Sequence, residues 1–305
     1  MPVVSPPSER PALARAAALL VGGALVGLID VSVGCERSCV GRGEPCDCST
    51  HDVCAPTEDP RVRITDAAHL WPESAIGSLG GCTGTLIGPR HVLTAAHCVA
   101  TGFDGDSFTW QPRFAPARDG DDYPFGDFAV RRVFVPEGYL EGACGWSDLA
   151  RPVEWDFALL ELASAPAIEP LPHRPLGDAA LRGATLYNRG YPAANSCAPA
   201  ERAPATMWGS EGALSPDPAL LRQGILYSTL FGSPGHSGSA VYTRDPATAE
   251  LVVVGVYVGP FCGDCTWPTS TAVRIGEVPA DHLDAWIADV DDRPCCEAWV
   301  DGFGP

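Results

Sequence analysis

The chain has 305 residues, 38 of them acidic against 20 basic, for a net charge of −18. That charge repels phosphate backbones and anionic membrane surfaces, so nucleic acid is excluded as an expected partner, while the length carries a sizeable core without staples. The 13 cysteines therefore report on the compartment, and they point to an oxidising one.

Arg10 and Arg15 precede an apolar run over 16–29, which is followed by Ser32, Val33 and Gly34. A basic start, a short apolar stretch and small residues at its end make an export signal, and the run is short for a bilayer span. Residues 1–34 are read as a signal peptide and the protein as secreted or held in the cell envelope. Cys35 directly after Gly34 resembles the lipobox of bacterial lipoproteins, with Ser32 in place of the usual large aliphatic residue and Asp30 interrupting the apolar run. Lipidated Cys35 is the expected route for any membrane attachment, against simple cleavage as the alternative. Setting Cys35 aside leaves 12 of the 13 cysteines, an even number that can pair.

Residues 35–60 hold five cysteines and no apolar periodicity, the composition of a pro-segment or tether. Cys46, Cys48, His51 and Cys54 invite a zinc reading, but their spacing fits no usual two-plus-two pattern and export favours disulfides.

From Arg61 onward, short runs of Val, Ile, Leu, Thr and Tyr separated by Gly, Pro and Asp predict strands joined by turns. The clearest lie over 84–88, 128–135 and 251–258. One helix is expected over 281–290, where His282, Leu283, Trp286, Ile287 and Val290 fall on one face. No internal repeat or heptad pattern competes, so the class is all-β, an antiparallel barrel or sandwich with a C-terminal helix.

Three segments carry chemistry. His97 lies in Leu93-Thr94-Ala95-Ala96-His97-Cys98, downstream of Gly81-Cys82-Thr83-Gly84-Thr85. Asp156 opens Asp156-Phe157-Ala158-Leu159-Leu160, an acid at the head of an apolar strand. Ser237 sits in Gly235-His236-Ser237-Gly238-Ser239, where glycines on both sides let the chain turn sharply and expose the hydroxyl. The same turn aims the Gly235 and Ser237 amides at one point, as an oxyanion hole requires. Taken singly, each is as well explained by a packed histidine, a turn aspartate or a glycine–serine turn. Together, in the order His, Asp, Ser, they resemble the trypsin-like serine peptidases and differ in order from subtilisins and α/β-hydrolases.

The resemblance is sharpest toward the V8-like glutamyl endopeptidases, through Arg63-Ile64-Thr65-Asp66, Ser74-Ala75-Ile76-Gly77, Gly190-Tyr191-Pro192, Ala205-Thr206-Met207-Trp208 and Gly212. It implies a chymotrypsin-like fold of two antiparallel six-stranded β-barrels over roughly 61–165 and 175–280, within a peptidase domain of 61–305. It further implies a triad of His97, Asp156 and Ser237, a Cys82–Cys98 bridge, and protein or peptide substrates hydrolysed by a monomer without metal or organic cofactor. Two departures stand out. His236 replaces the aspartate that precedes the serine in pancreatic-type relatives, so their N-terminal activation switch is not expected; Arg61 or Arg63 would be the cleavage site if 35–60 inhibits. Ser233 supplies the hydroxyl with which glutamyl endopeptidases hold a substrate carboxylate, but the following strand lacks their histidine and offers Tyr257 instead. The P1 expectation therefore stays open between glutamate and a hydrophobic or small residue.

Cys262 and Cys265 suit a short-loop bridge, whereas pairings among Cys144, Cys197, Cys295 and Cys296 do not follow from sequence. The rival readings are a non-catalytic barrel that binds a partner, and an esterase using the same three residues.

Overall fold

The computed structural model describes residues 61–65, 68–100, 112–143, 153–192, 205–215, 224–261, 269–289 and 299–301. The export signal, Cys35, the 35–60 segment, Val290 and Cys144, Cys197, Cys262, Cys265, Cys295 and Cys296 lie outside the described residues.

The runs rich in β-branched and aromatic residues form strands. In chain order these are β1 (Val62–Arg63), β2 (Ile76–Ser78), β3 (Thr83–Gly88), β4 (His91–Thr94), β5 (Arg113–Pro116), β6 (Phe128–Pro136) and β7 (Ala158–Leu162), followed by β8 (Leu186–Gly190), β9 (Trp208–Gly212), β10 (Ile225–Ser228), β11 (Ala240–Arg244), β12 (Leu251–Phe261), β13 (Thr269–Arg274) and β14 (Trp299–Asp301). Among the described residues, four α-helices interrupt them: α1 (His97–Ala100), α2 (Glu137–Ala143), α3 (Asp178–Arg182) and α4 (Glu277–Ala288).

One sheet runs β14-β6-β5-β2-β3-β4-β7, and β7 pairs back onto β6, closing a six-stranded antiparallel barrel to which β14 adds in parallel. Closure removes the open edges that a flat sheet would expose. The other sheet runs β1-β9-β8-β11-β12-β13-β10. A bridge joins Leu214, just past β9, to Ser228 in the end strand β10. The chain therefore builds the expected chymotrypsin-like pair of sheets. β1 leaves its sequence neighbours and pairs with β9, Val62 opposite Gly209, so the residues that open the described chain belong to the second sheet.

Every residue of β3, β4 and β7 is buried, so neither face of these strands meets solvent. The helix α4 caps the first barrel: the Trp286 ring lies 5.7 Å from Phe134 and 5.9 Å from Phe157. It begins at Glu277, four residues before the expected start, and Pro279 stands in its first turn, where a missing N–H costs no intrahelical bond. None of the helices among the described residues is long and apolar enough to cross a membrane.

A buried acid ties this cap down. Glu161 in β7 is fully buried; its Oε1 lies 2.6 Å from Arg90 Nη2 and its Oε2 accepts from Arg132 Nε. Arg132 also reaches Asp289 at the end of α4, at 3.1 Å. Removing one member of a buried ionic cluster leaves the others without compensation. Glu161→Leu is therefore expected to lower the unfolding free energy by about 3–5 kcal/mol, read as a fall in the urea midpoint at unchanged slope; an unmoved midpoint would refute the assignment.

Candidate active site

Antiparallel register brings His97 to Asp156. Thr94 at the end of β4 pairs with Ala158 at the start of β7. The chain continues three residues past Thr94 to His97, and Asp156 stands two residues before Ala158, so both leave their strands at one end of the pair. The single 3₁₀ turn Val153–Trp155 delivers the aspartate, whose N–H donates to the Val153 carbonyl at 3.1 Å. His97 Nδ1 and Asp156 Oδ2 are 2.7 Å apart, and the His97 backbone N–H donates to Asp156 Oδ1 at 2.8 Å. One carboxylate thus grips the histidine twice, fixing where the residue sits and which ring edge faces the acid. The carboxylate is 13% exposed and the imidazole 29%, so the open edge of the ring remains reachable.

A disulfide between Cys82 and Cys98 closes the mouth of the β3–β4 hairpin beside His97, as the family resemblance implied. Among the described residues, Cys82, His97 and Cys98 also meet metal-ligand proximity, within 4.8 Å of one another. With both sulfurs spent in the bridge, neither is a thiolate ligand.

Ser237 lies in the loop between β10 and β11, which is bonded to the start of β3. Its carbonyl accepts from the Thr83 N–H at 2.8 Å, and the Gly238 N–H donates to the Tyr257 carbonyl at 2.8 Å. Thr83 Oγ1 donates to the Gly235 carbonyl at 2.7 Å, while Thr94 Oγ1 donates to the Thr83 carbonyl at 2.9 Å. Thr83, itself held by Thr94, therefore pins the serine loop through its backbone N–H and its hydroxyl. Contact is closest at Gly238: with φ of 84°, it sits where a Cβ would lie 2.3 Å from the Thr83 carbonyl oxygen and 2.9 Å from the Ala95 nitrogen. Only glycine allows that approach.

Within the loop, His236, Gly238 and Ser239 donate their N–H groups to Ser233, Tyr257 and His236 carbonyls. Among the described residues, no carbonyl or side chain accepts from the Gly235 or Ser237 amide. Those are the two donors that the sequence marks for an oxyanion hole.

Ser233 is half-buried at the start of this loop. Tyr257 is only 1% exposed. A Cβ on Gly232 would fall 2.4 Å from its ring, so the tyrosine lies beneath the loop as a floor and not at the surface as a head group. Burial pushes its hydroxyl well above the usual phenol range, so it stays neutral.

A family model described as a trypsin-like peptidase domain matches residues 82–255, more than half of the chain. The chain belongs to the trypsin-like peptidase family.

This trypsin-like peptidase is 28% identical over 247 residues to a glutamyl endopeptidase of Bacillus licheniformis, covering 75% of this chain and 67% of the relative. It is 26% identical to Serine protease 23 of Bos taurus and of Homo sapiens, covering 68% of this chain in both cases. The chain spans little more than half of those two relatives, 57% and 56%. Among solved structures, a Glu endopeptidase in complex with MPD superposes with a TM-score of 0.61 at 21% identity, covering 76% of this chain and 99% of the other. Protease Anisep from Arthrobacter nicotinovorans gives 0.52 at 17% identity, covering 71% and 96%. At such identities the superpositions speak for the fold.

The sequence did not reveal the partners that hold this peptidase's site. Thr83 reads as an ordinary strand residue, yet it bonds the serine loop at both Gly235 and Ser237. Arg61, read only as a cleavage position, is 5% exposed and donates through Nη1 to Ser233 Oγ across 172 residues of chain. No local signal marks a contact of that separation.

Proposed function

We propose that this chain is an exported serine endopeptidase of the V8-like branch, acting through His97, Asp156 and Ser237. The observation that carries the reading is the two-point grip of Asp156 on His97, on the strands to which the Ser237 loop is pinned. In this reading His97 Nε2 takes the proton of Ser237 Oγ as that oxygen attacks the peptide carbonyl carbon. Asp156 accepts from Nδ1–H, which holds the correct tautomer and stabilises the imidazolium once the proton arrives. The amides of Gly235 and Ser237 donate to the oxygen on which negative charge develops. Collapse of the tetrahedral intermediate expels the amine, protonated by His97, and leaves an acyl group on Ser237. A water deprotonated by the same imidazole then releases the acid.

Export rests on the 1–34 pattern and agrees with the disulfide beside His97, a bond that persists in oxidising compartments. Substrates are protein or peptide chains, and the reaction as written uses no metal or organic cofactor.

The test is covalent. Protein produced in an oxidising compartment and treated with an irreversible serine-directed phosphonate carries the adduct on Ser237 by peptide mass mapping, and cleaves a mixed peptide library. Label on another residue, or no label and no cleavage, would favour the binding-protein reading; cleavage of esters alone would favour the esterase.

A further inference from the structure

Asp156 stands between two aromatic residues that meet the same helix. Phe157, just before β7, is fully buried, and Trp155 is half-buried. Their rings lie 6.5 Å apart. The His282 ring of α4 reaches both, edge-on to Trp155 at 6.0 Å and steeply inclined to Phe157 at 6.2 Å. Trp286, one turn further along α4, lies 5.9 Å from Phe157 and 5.4 Å from His282. The helix α2 also approaches Trp155, so closely that a Cβ on Gly138 would fall 3.0 Å from three atoms of the indole. The residue before the acid thus packs on two helices, and the residue after it is locked in the core.

The backbone passes these positions on to the acid. The Asp156 N–H donates to the Val153 carbonyl at 3.1 Å, and the Phe157 N–H donates to the Trp155 carbonyl at 2.8 Å, closing a tight turn around Asp156 itself. With the rings on both sides held, the direction of the Asp156 side chain is held too. That direction matters because both carboxylate oxygens are in use, Oδ1 on the His97 N–H and Oδ2 on Nδ1. Hydrogen bonds weaken steeply as they bend, so a tilted turn that kept one contact would spoil the other.

The helix α4 is a firm base for this task. Trp286 stacks on Phe134 of β6 at 5.7 Å, Asp284 Oδ1 lies 3.2 Å from His173 Nε2, and Asp289 meets Arg132 at 3.1 Å. Trp286 is 2% exposed and belongs to the core, whereas His282 is half-buried and bears on Trp155. Edge-to-face ring pairs carry an orientational preference beyond their buried area. We infer that His282 is a positioning residue for the triad acid: from α4 it braces Trp155, and so sets the angle at which the Asp156 carboxylate meets His97. This rests on the peptidase reading above, in which Asp156 is that acid.

The experiment measures kcat and KM on one peptide substrate, the downfield Nδ1–H proton resonance of His97, and the urea midpoint. The chains compared are the natural one, His282→Ala, His282→Phe, Trp155→Leu, the His282→Ala/Trp155→Leu pair and Gly138→Ala. Alanine is the best helix former, so α4 persists in His282→Ala. That variant should lose about 10-fold in kcat, the scale of a small misplacement of a catalytic group, with KM changed by less than about 2-fold and the Nδ1–H resonance shifted or broadened. His282→Phe keeps an edge-on ring and should return kcat to within about 3-fold of the natural chain. Trp155→Leu should lose about 30-fold in kcat, and the pair little more, because His282 acts through that ring. Gly138→Ala suits a helix but presses on Trp155, and should lower kcat by about 5-fold without lowering the urea midpoint. A His282→Ala chain with a lower midpoint, natural kcat and an unmoved Nδ1–H resonance would show that His282 only stabilises α4, and would overturn the inference. So would His282→Phe no better than His282→Ala, or Gly138→Ala with natural kcat. A natural chain that cleaves no peptide would end the peptidase reading itself, and this inference with it.

Discussion

Ser237→Ala lowers peptide turnover by about 10⁶-fold, the scale of loss when a triad nucleophile is removed. The substitution deletes the attacking oxygen and nothing else. The backbone contacts that hold the loop use the Ser237 carbonyl and the Gly238 N–H, which alanine keeps. The side chain is only half-buried, so no large cavity or stranded polar group is created. The variant should therefore unfold within about 1 kcal/mol of the natural chain. It should also bind peptide inhibitors with little change, because the amides of Gly235 and Ser237 and the Ser233 hydroxyl remain. Residual catalysis of about 10³–10⁴ over water is expected from those amides and from substrate binding. Turnover above about one per cent of the natural level would mean that another group attacks, and would overturn the role given to Ser237.

Much of the architecture could be read before the structure. The runs at 84–88, 128–135 and 251–258 became β3, β6 and β12 because β-branched and aromatic side chains suit a pleated, half-buried surface. Elements that were hard to read share a physical cause: their identity comes from partners distant in sequence. β9 contains Gly209 and Gly212 and shows no strand propensity, yet it is held by a full ladder to β8 from Leu186–Gly212 to Gly190–Trp208. β1 has two residues and owes its place to β9 alone. The early start of α4 was hidden by Pro279, which reads as a breaker unless the first turn is known to lie there.

The site divides in the same way. Residue types that chemistry demands, a histidine, an acid and a serine among glycines, announced themselves by motif. The groups that aim them did not, because a threonine hydroxyl bonded to a carbonyl 152 residues away leaves no pattern in its neighbours. Tyr257, expected to line the pocket in place of a histidine, is 1% exposed and packs against Gly232.

Asp156→Asn should cost about 10⁴-fold in kcat, the scale seen when a triad imidazole is left in the wrong tautomer, and the contacts here say why. The carboxylate has two acceptor oxygens and both are used: Oδ1 takes the His97 backbone N–H at 2.8 Å and Oδ2 faces Nδ1 at 2.7 Å. An asparagine offers one oxygen and one NH₂. The backbone amide can only donate, so the oxygen must serve it, and the NH₂ is left facing Nδ1. Nδ1 then presents its lone pair, the ring proton moves to Nε2, and that nitrogen can no longer accept the Ser237 proton. The near-isosteric change leaves packing intact, so KM and the urea midpoint should move little while kcat collapses. Proton NMR provides a second readout: a downfield Nδ1–H signal from a histidine bonded to carboxylate, present in the natural chain, should vanish in Asp156→Asn. A loss below about 10-fold would mean that Asp156 only anchors the backbone of His97 and does not set its tautomer, since 10-fold is far short of the effect of an inverted imidazole.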